Sequence, residues 1–247
     1  MSEKLSFGKW LLFWLFPRKC PVCRRVIPPQ ERICSSCREA LPQNRRPAPA
    51  LRHLSGIWAP YVYRAGVQKI ISAFKFRGRR ELAPLLAQMM AESLPEKLRP
   101  ELIIGVPMHP KRRRQRGYNQ ADLLARELGK LLGVPVSTSA LVKCRSNRLQ
   151  HNLSAAQRRE NVKDVYQVKD PAQVAGKAVL LVDDVFTTGS TLEECARVLA
   201  EAGAGPVWGV VFARAEEVKK IAPDARKPQE NALSPAGTLA KQPPDTV

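Results

Sequence analysis

Residues Val179–Thr191, VLLVDDVFTTGST, set an acid pair between an apolar run and a turn rich in hydroxyls. The run Val179–Val182 reads as a buried strand, and Asp183 and Asp184 emerge from its carboxyl end, where open α/β sheets place their ligands. Carboxylates there accept hydrogen bonds from vicinal hydroxyls such as those of a ribose. Thr187, Thr188, Gly189, Ser190 and Thr191 follow, leading into a helical pattern over Thr191–Ala202. Amides at a helix start and the helix dipole favour a phosphate. Gly189 permits a tight turn and keeps a side chain out of the approach. Together these residues describe a site for a sugar 5-phosphate. A Walker B strand would need an upstream G-x-x-x-x-G-K-[ST], which this sequence lacks. A receiver domain would carry its acids near the domain start, whereas little of this chain follows Asp184. A bare helix N-cap accounts for Ser190 or Thr191 and leaves both acids unexplained.

Cys20-x-x-Cys23 and Cys34-x-x-Cys37 supply four thiolates suited to a tetrahedral, structural zinc. Each short pair can chelate one ion, and the segment between the pairs can fold back. In a module with few apolar residues the metal supplies much of the folding free energy. The rival reading is a pair of redox dithiols. Cys195 lies at helical spacing with Leu192, Ala196 and Leu199 and reads as a core thiol, while Cys144 stays open.

Lys111, Arg112, Arg113, Arg114 and Arg116 are too dense for an ordinary solvated face. Together with Arg145–Lys163, and with Tyr118 stacking on a base, they could track a nucleic-acid backbone. They could equally rim a pyrophosphate site. His109 follows a strand end near that site and is a candidate ligand contact. His53 and His151 read as surface residues.

The segment Asp183–Thr191, after four apolar residues, resembles the phosphoribosyl pyrophosphate motif of type I phosphoribosyltransferases. Phe74–Gly78 (FKFRG), Val106–Gln120 (VPMHPKRRRQRGYNQ) and Leu149–Val162 (LQHNLSAAQRRENV), behind a cysteine module, resemble the ComF competence family. The resemblance spans roughly residues 8–215. It implies that Asp183 and Asp184 contact the ribose 2- and 3-hydroxyls, and that Thr187–Thr191 hold the 5-phosphate. It implies that the turn at Pro107–His109 approaches the pyrophosphate, and that Arg145–Asn161 is a mobile loop closing over the substrate. Arg159 and Asn161 rank as catalytic alongside Asp183 and Asp184, with Arg158 and Arg113 as further clamps. Magnesium would be bound mainly by pyrophosphate and ribose oxygens. The implied reaction is phosphoribosyl transfer to a nitrogen nucleophile. The alternative is a single-stranded DNA handling factor for natural transformation that keeps the donor pocket for regulation or structure. Many members of the family carry further cysteine pairs after the first four; this chain does not, so a second zinc site is not expected.

The elements that must position these residues alternate along the chain. Helical spacing covers Val67–Phe76, Glu81–Leu94 and Asn119–Leu132, and short apolar strands cover Leu102–Val106 and Val207–Phe212, with another beginning at Leu141–Val142. Continuous apolar strands separated by helices imply an α/β fold, a parallel sheet with helices on both faces. The expected organisation is an apolar helix and four-cysteine zinc knuckle over 1–45, a linker or lead-in strand over 46–60, the phosphoribosyltransferase-like domain over 61–215, and a disordered tail over 216–247. The 247 residues carry 41 Lys and Arg against 22 Asp and Glu, a net charge of +19, which favours anionic partners. Trp10–Phe16 (WLLFWLF) is too short to span a bilayer and allows at most contact with a membrane surface. A cytoplasmic location is expected.

Overall fold

The computed structural model describes residues 17–144 and 165–216. The apolar segment Trp10–Phe16, the expected loop with His151, Arg158, Arg159 and Asn161, and the tail beyond Glu216 lie outside the described residues. In chain order the elements are α1 (Ser35–Glu39), β1 (Gly56–Trp58), β2 (Tyr61–Val62), α2 (Ala65–Phe76), α3 (Ala83–Ala91), β3 (Leu102–Gly105), α4 (Pro110–Arg116), α5 (Gln120–Leu132), β4 (Val136–Ser137), β5 (Leu141–Lys143), β6 (Tyr166–Val168), β7 (Val179–Phe186), α6 (Ser190–Glu201) and β8 (Val207–Arg214).

The main sheet runs β1-β8-β7-β3-β4, with β2 also on β8, and every pair in it is parallel. Its central strands are apolar on both faces because both faces are covered. Leu180 and Val182 pack with α2, α3 and α5, while Val179 and Leu181 pack with α6 and the β5–β6 hairpin. All four are completely buried, and each contributes about 1.5–3 kcal/mol. From β3 the chain steps outward to β4, then returns across β3 to β7 and continues to β8. That reversal leaves a crevice between the carboxyl ends of β3 and β7, the position where such sheets bind ligands.

The structure alters several boundaries. β7 continues through the acid pair to Phe186, because β8 runs beside it as far as the Phe186↔Arg214 register. Asp183 and Asp184 are therefore in-strand residues with side chains on opposite faces. The helix expected over Glu81–Leu94 begins as a 3-10 turn at Arg80–Leu82, and α3 proper carries Pro84 in its first turn. Segment 46–60 contains β1, which pairs with β8.

Helix α4 has no apolar periodicity to betray it. Its ends define it instead. His109 caps it, accepting at Nδ1 from the Lys111 amide at 3.2 Å, and Pro110 occupies the first turn. Gly117, at φ +80°, closes it in the left-handed conformation.

The cysteine module shares a core with the sheet domain. Cys20, Ile27, Ile33 and Leu41 are buried in the same cluster as Val67, Ile70 and Phe74 of α2. Polar ties cross the same boundary: Lys69 donates to the Val22 carbonyl at 3.2 Å and Arg32 to the Glu81 carbonyl at 3.1 Å. No helix among the described residues is long and apolar enough to cross a membrane.

Candidate functional site

The crevice between β3 and β7 holds a cavity of about 830 Å³. Its walls come from the turn after β3 (Pro107, His109), from α4 (Lys111, Arg112), from the end of α2 (Lys75), from the β5–β6 hairpin (Lys143, Tyr166), and from Asp183 and Thr191. The chain thus converges from six elements on one carboxylate, and the surrounding charge is strongly positive.

The two aspartates have separate surroundings. Asp183 faces the cavity, its Oδ1 accepting from the Asp184 amide at 2.8 Å. Burial, and next the neighbouring Asp184, push its carboxyl up to about 7, while Lys75 and Lys143 act in the opposite sense. Asp184 points to the other face, buried, with Oδ1 2.9 Å from Lys75 Nζ. Its Oδ2 is buried without a hydrogen-bond partner among the described residues.

Across the cavity Lys143 donates to the Tyr166 hydroxyl at 3.3 Å and lies 5.1 Å from that ring's centroid. Burial lowers the Lys143 pKa, reinforced by Arg112. Burial likewise raises that of the Tyr166 phenol, so the hydroxyl stays protonated.

The turn between β7 and α6 is built for close approach. Gly189 has φ +77°, and a Cβ there would lie 2.8 Å from the Phe186 ring and 2.9 Å from Leu51 Cδ1. The Thr188 and Ser190 hydroxyls are 2.7 Å apart. Thr191 reaches the cavity, and the start of α6 leaves backbone N–H groups without intrahelical partners.

Of the basic candidates, Lys111, Arg112 and Arg116 line the cavity. Arg113 turns into an adjoining hollow of about 160 Å³ beside Asp122, whose carboxyl burial pushes up to about 6. Arg114 is exposed. Tyr118 is a correction. It is buried, its hydroxyl donates to the Phe74 carbonyl, and the Arg80 guanidinium lies 4.5 Å from its ring centroid. No ring face remains for a base, so Tyr118 braces α2 rather than contacting a ligand. His53, read as a surface residue, pairs through Nδ1 with Glu193 Oε1 at 2.7 Å, and Cys195 is a fully buried core thiol.

Sequence reasoning did not single out Lys75, Lys143, Tyr166 or Asn119. Lys75 lies inside the FKFRG segment, which was a usable signal. Asn119 caps α5 and also donates to the Val106 carbonyl at 3.0 Å, fixing the turn after β3. Lys143 and Tyr166 had no signal, since their hairpin brackets a long polar segment.

The sulfurs of Cys20, Cys23, Cys34 and Cys37 all lie within 4.8 Å of one another, and those of Cys23 and Cys34 are 3.7 Å apart. A tetrahedron with Zn–S bonds of about 2.3 Å has edges of about 3.8 Å, so the cluster fits a structural zinc.

Comparison with known proteins agrees with both parts. The phosphoribosyl transferase domain family matches residues 114–231, and the double zinc ribbon domain family matches residues 11–48. The DNA utilization protein YhgH of Salmonella typhi is 32% identical over 200 residues, covering 76% of this chain and 86% of that protein. Competence protein F of Haemophilus influenzae is 35% identical over 153 residues, covering 58% of this chain and 67% of its own. Competence protein ComFC of Bacillus subtilis is 28% identical over 189 residues, 74% of this chain and 72% of its own. A phosphoribosyltransferase-type sheet domain joined to a four-cysteine zinc ribbon, with these relatives, places the chain in the ComF competence-protein family.

Proposed function

We propose that the cavity between β3 and β7 binds phosphoribosyl pyrophosphate and transfers its phosphoribosyl group to a nitrogen nucleophile. The observation that carries this reading is the convergence of Asp183, Thr191, Lys75 and Arg112 on one cavity at the switch point of the sheet. Asp183 accepts from a ribose hydroxyl. Asp184, expected at the same sugar, is turned to the opposite face and instead holds Lys75 at the cavity wall. The Thr187–Thr191 turn takes the 5-phosphate, and the pyrophosphate lies toward Pro107–His109, within reach of Lys111 and Arg112. Magnesium, held mainly by the donor's pyrophosphate and ribose oxygens with Asp183 as the one carboxylate at the cavity among the described residues, would offset charge on the leaving group.

In the reaction the nitrogen lone pair bonds to the anomeric carbon as the bond from that carbon to the pyrophosphate oxygen breaks. Pyrophosphate leaves with the electron pair, and the nitrogen releases its proton to solvent. Lys75, Lys111 and Arg112 stabilise the negative charge that develops on the leaving group. Arg159 and Asn161 are assigned to the same step from the segment outside the described residues. Calorimetric titration with the donor and Mg²⁺ tests the reading. Saturable binding that disappears in a folded Asp183→Asn, Asp184→Asn variant supports it, and equal affinity in that variant would refute it.

A second reading is DNA handling. It is supported by the exposed basic face of α4 and by the names that the relatives carry. Replacing Arg112, Arg113 and Arg114 by Gln should reduce the salt slope of single-stranded DNA binding by about 2, at about 0.7 per lost contact. An unchanged slope removes α4 from the footprint.

A further inference from the structure

Beyond Lys75 the cavity adjoins a second hollow of about 520 Å³, and the two share Lys75, Phe76, Arg112, Gln115 and Arg116. Phe76 stands at their junction with 72% of its surface exposed. A single exposed phenylalanine on a protein surface needs no explanation by itself. This one is held ready. It is the last residue of α2, and the guanidinium carbon of Arg116 lies 4.9 Å from its ring centroid. Arg116 is itself fixed, donating to Oε1 of the buried Gln120 at 2.6 Å. The ring therefore has a cation anchored beside it, while most of its surface is open to the hollow. Among the described residues no acid lines that hollow, and Asp183 is the one acid lining the larger cavity.

We propose that Phe76, backed by Arg116, is the stacking platform for one base of single-stranded DNA whose phosphates run along the exposed face of α4. This rests on the second reading above and gives it a site. The charge decides for a polymer over a free base: beyond Lys111 and Arg112, which line the donor cavity, Arg113 and Arg114 are exposed on the same helix outside it, and neither the donor nor an isolated heterocycle has a use for them. The open ring decides for a single strand, since bases inside a duplex are already stacked and only an unpaired strand offers a free π-face. Phe76 thus takes the part that the buried Tyr118 cannot.

The test measures fluorescence anisotropy of the zinc-loaded full chain with labelled oligothymidylate and with an abasic strand of equal length. The abasic strand keeps the phosphates and lacks the bases. On oligothymidylate, Phe76→Ala should weaken binding roughly 5- to 150-fold, the range set by loss of one base–aromatic stack. Phe76→Trp should hold wild-type affinity. On the abasic strand all three proteins should bind alike, with unaltered salt slopes. If Phe76→Ala loses the same factor on both strands, or loses nothing on either, the platform is rejected while DNA binding stands. If the wild-type protein binds neither strand, the DNA reading falls and the platform with it. Zinc content and circular dichroism verify that the variants are folded, as expected for a change at an exposed ring.

Discussion

Lys75 places Nζ 2.9 Å from Oδ1 of Asp184, joining the end of α2 to the carboxyl end of β7. The carboxylate is buried, with its second oxygen unpartnered among the described residues, so the ammonium group supplies much of its compensation. Lys75→Met should destabilise the domain by about 3 kcal/mol in denaturant unfolding, because it strands a buried charge. Adding Asp184→Asn should recover most of that loss. If the double variant is as unstable as the single one, the pair is not what Lys75 contributes.

Asp183 binds its proton more tightly in the folded protein, its carboxyl being pushed up to about 7 first by burial and then by Asp184. Between the ordinary aspartate range and about 7, the folded state holds more protons than the unfolded state. Stability tied to this group is therefore lost as pH rises through that window. Asp183→Asn should melt close to wild type near about pH 4 and clearly above it near about pH 8. A gap that stays constant across that range would show that Asp183 does not titrate there.

The turn at Gly189 combines φ +77° with contacts that leave no room for a Cβ. Gly189→Ala should cost about 2 kcal/mol of stability through strain in the left-handed region. It should also cost donor affinity, since the displaced turn carries the amides proposed for the 5-phosphate. Full donor affinity in the folded variant would separate that turn from the phosphate.

Zinc removal should reach beyond the cysteine module. Because Cys20, Ile27, Ile33 and Leu41 share a core with α2, chelation or Cys20→Ser should lower the melting temperature of the whole unit in a single transition. Metal analysis should read one zinc per chain in the wild type. Two independent transitions, with the sheet domain unmoved, would contradict the shared core.

Local chemistry was legible because it is local. The four cysteines announce a metal site through spacing alone, and VLLVDDVFTTGST specifies strand, acids, turn and helix within one continuous stretch. The helices Val67–Phe76 and Asn119–Leu132 were readable because their apolar residues recur at helical spacing. Helix α4 was not, because caps and not an apolar stripe define it.

What only the tertiary structure decided depends on residues far apart in the chain. Pairing of β7 with β8 beyond the apolar run turns the two aspartates to opposite faces, one toward the cavity and one toward Lys75. Pairing of β5 with β6 brings Lys143 and Tyr166 to the site from either side of a long polar segment. The choice between Tyr118 and Phe76 as the exposed aromatic is of the same kind. Both lie within two positions of a basic residue in the sequence, but burial is set by what packs above each ring, and no local pattern encodes that.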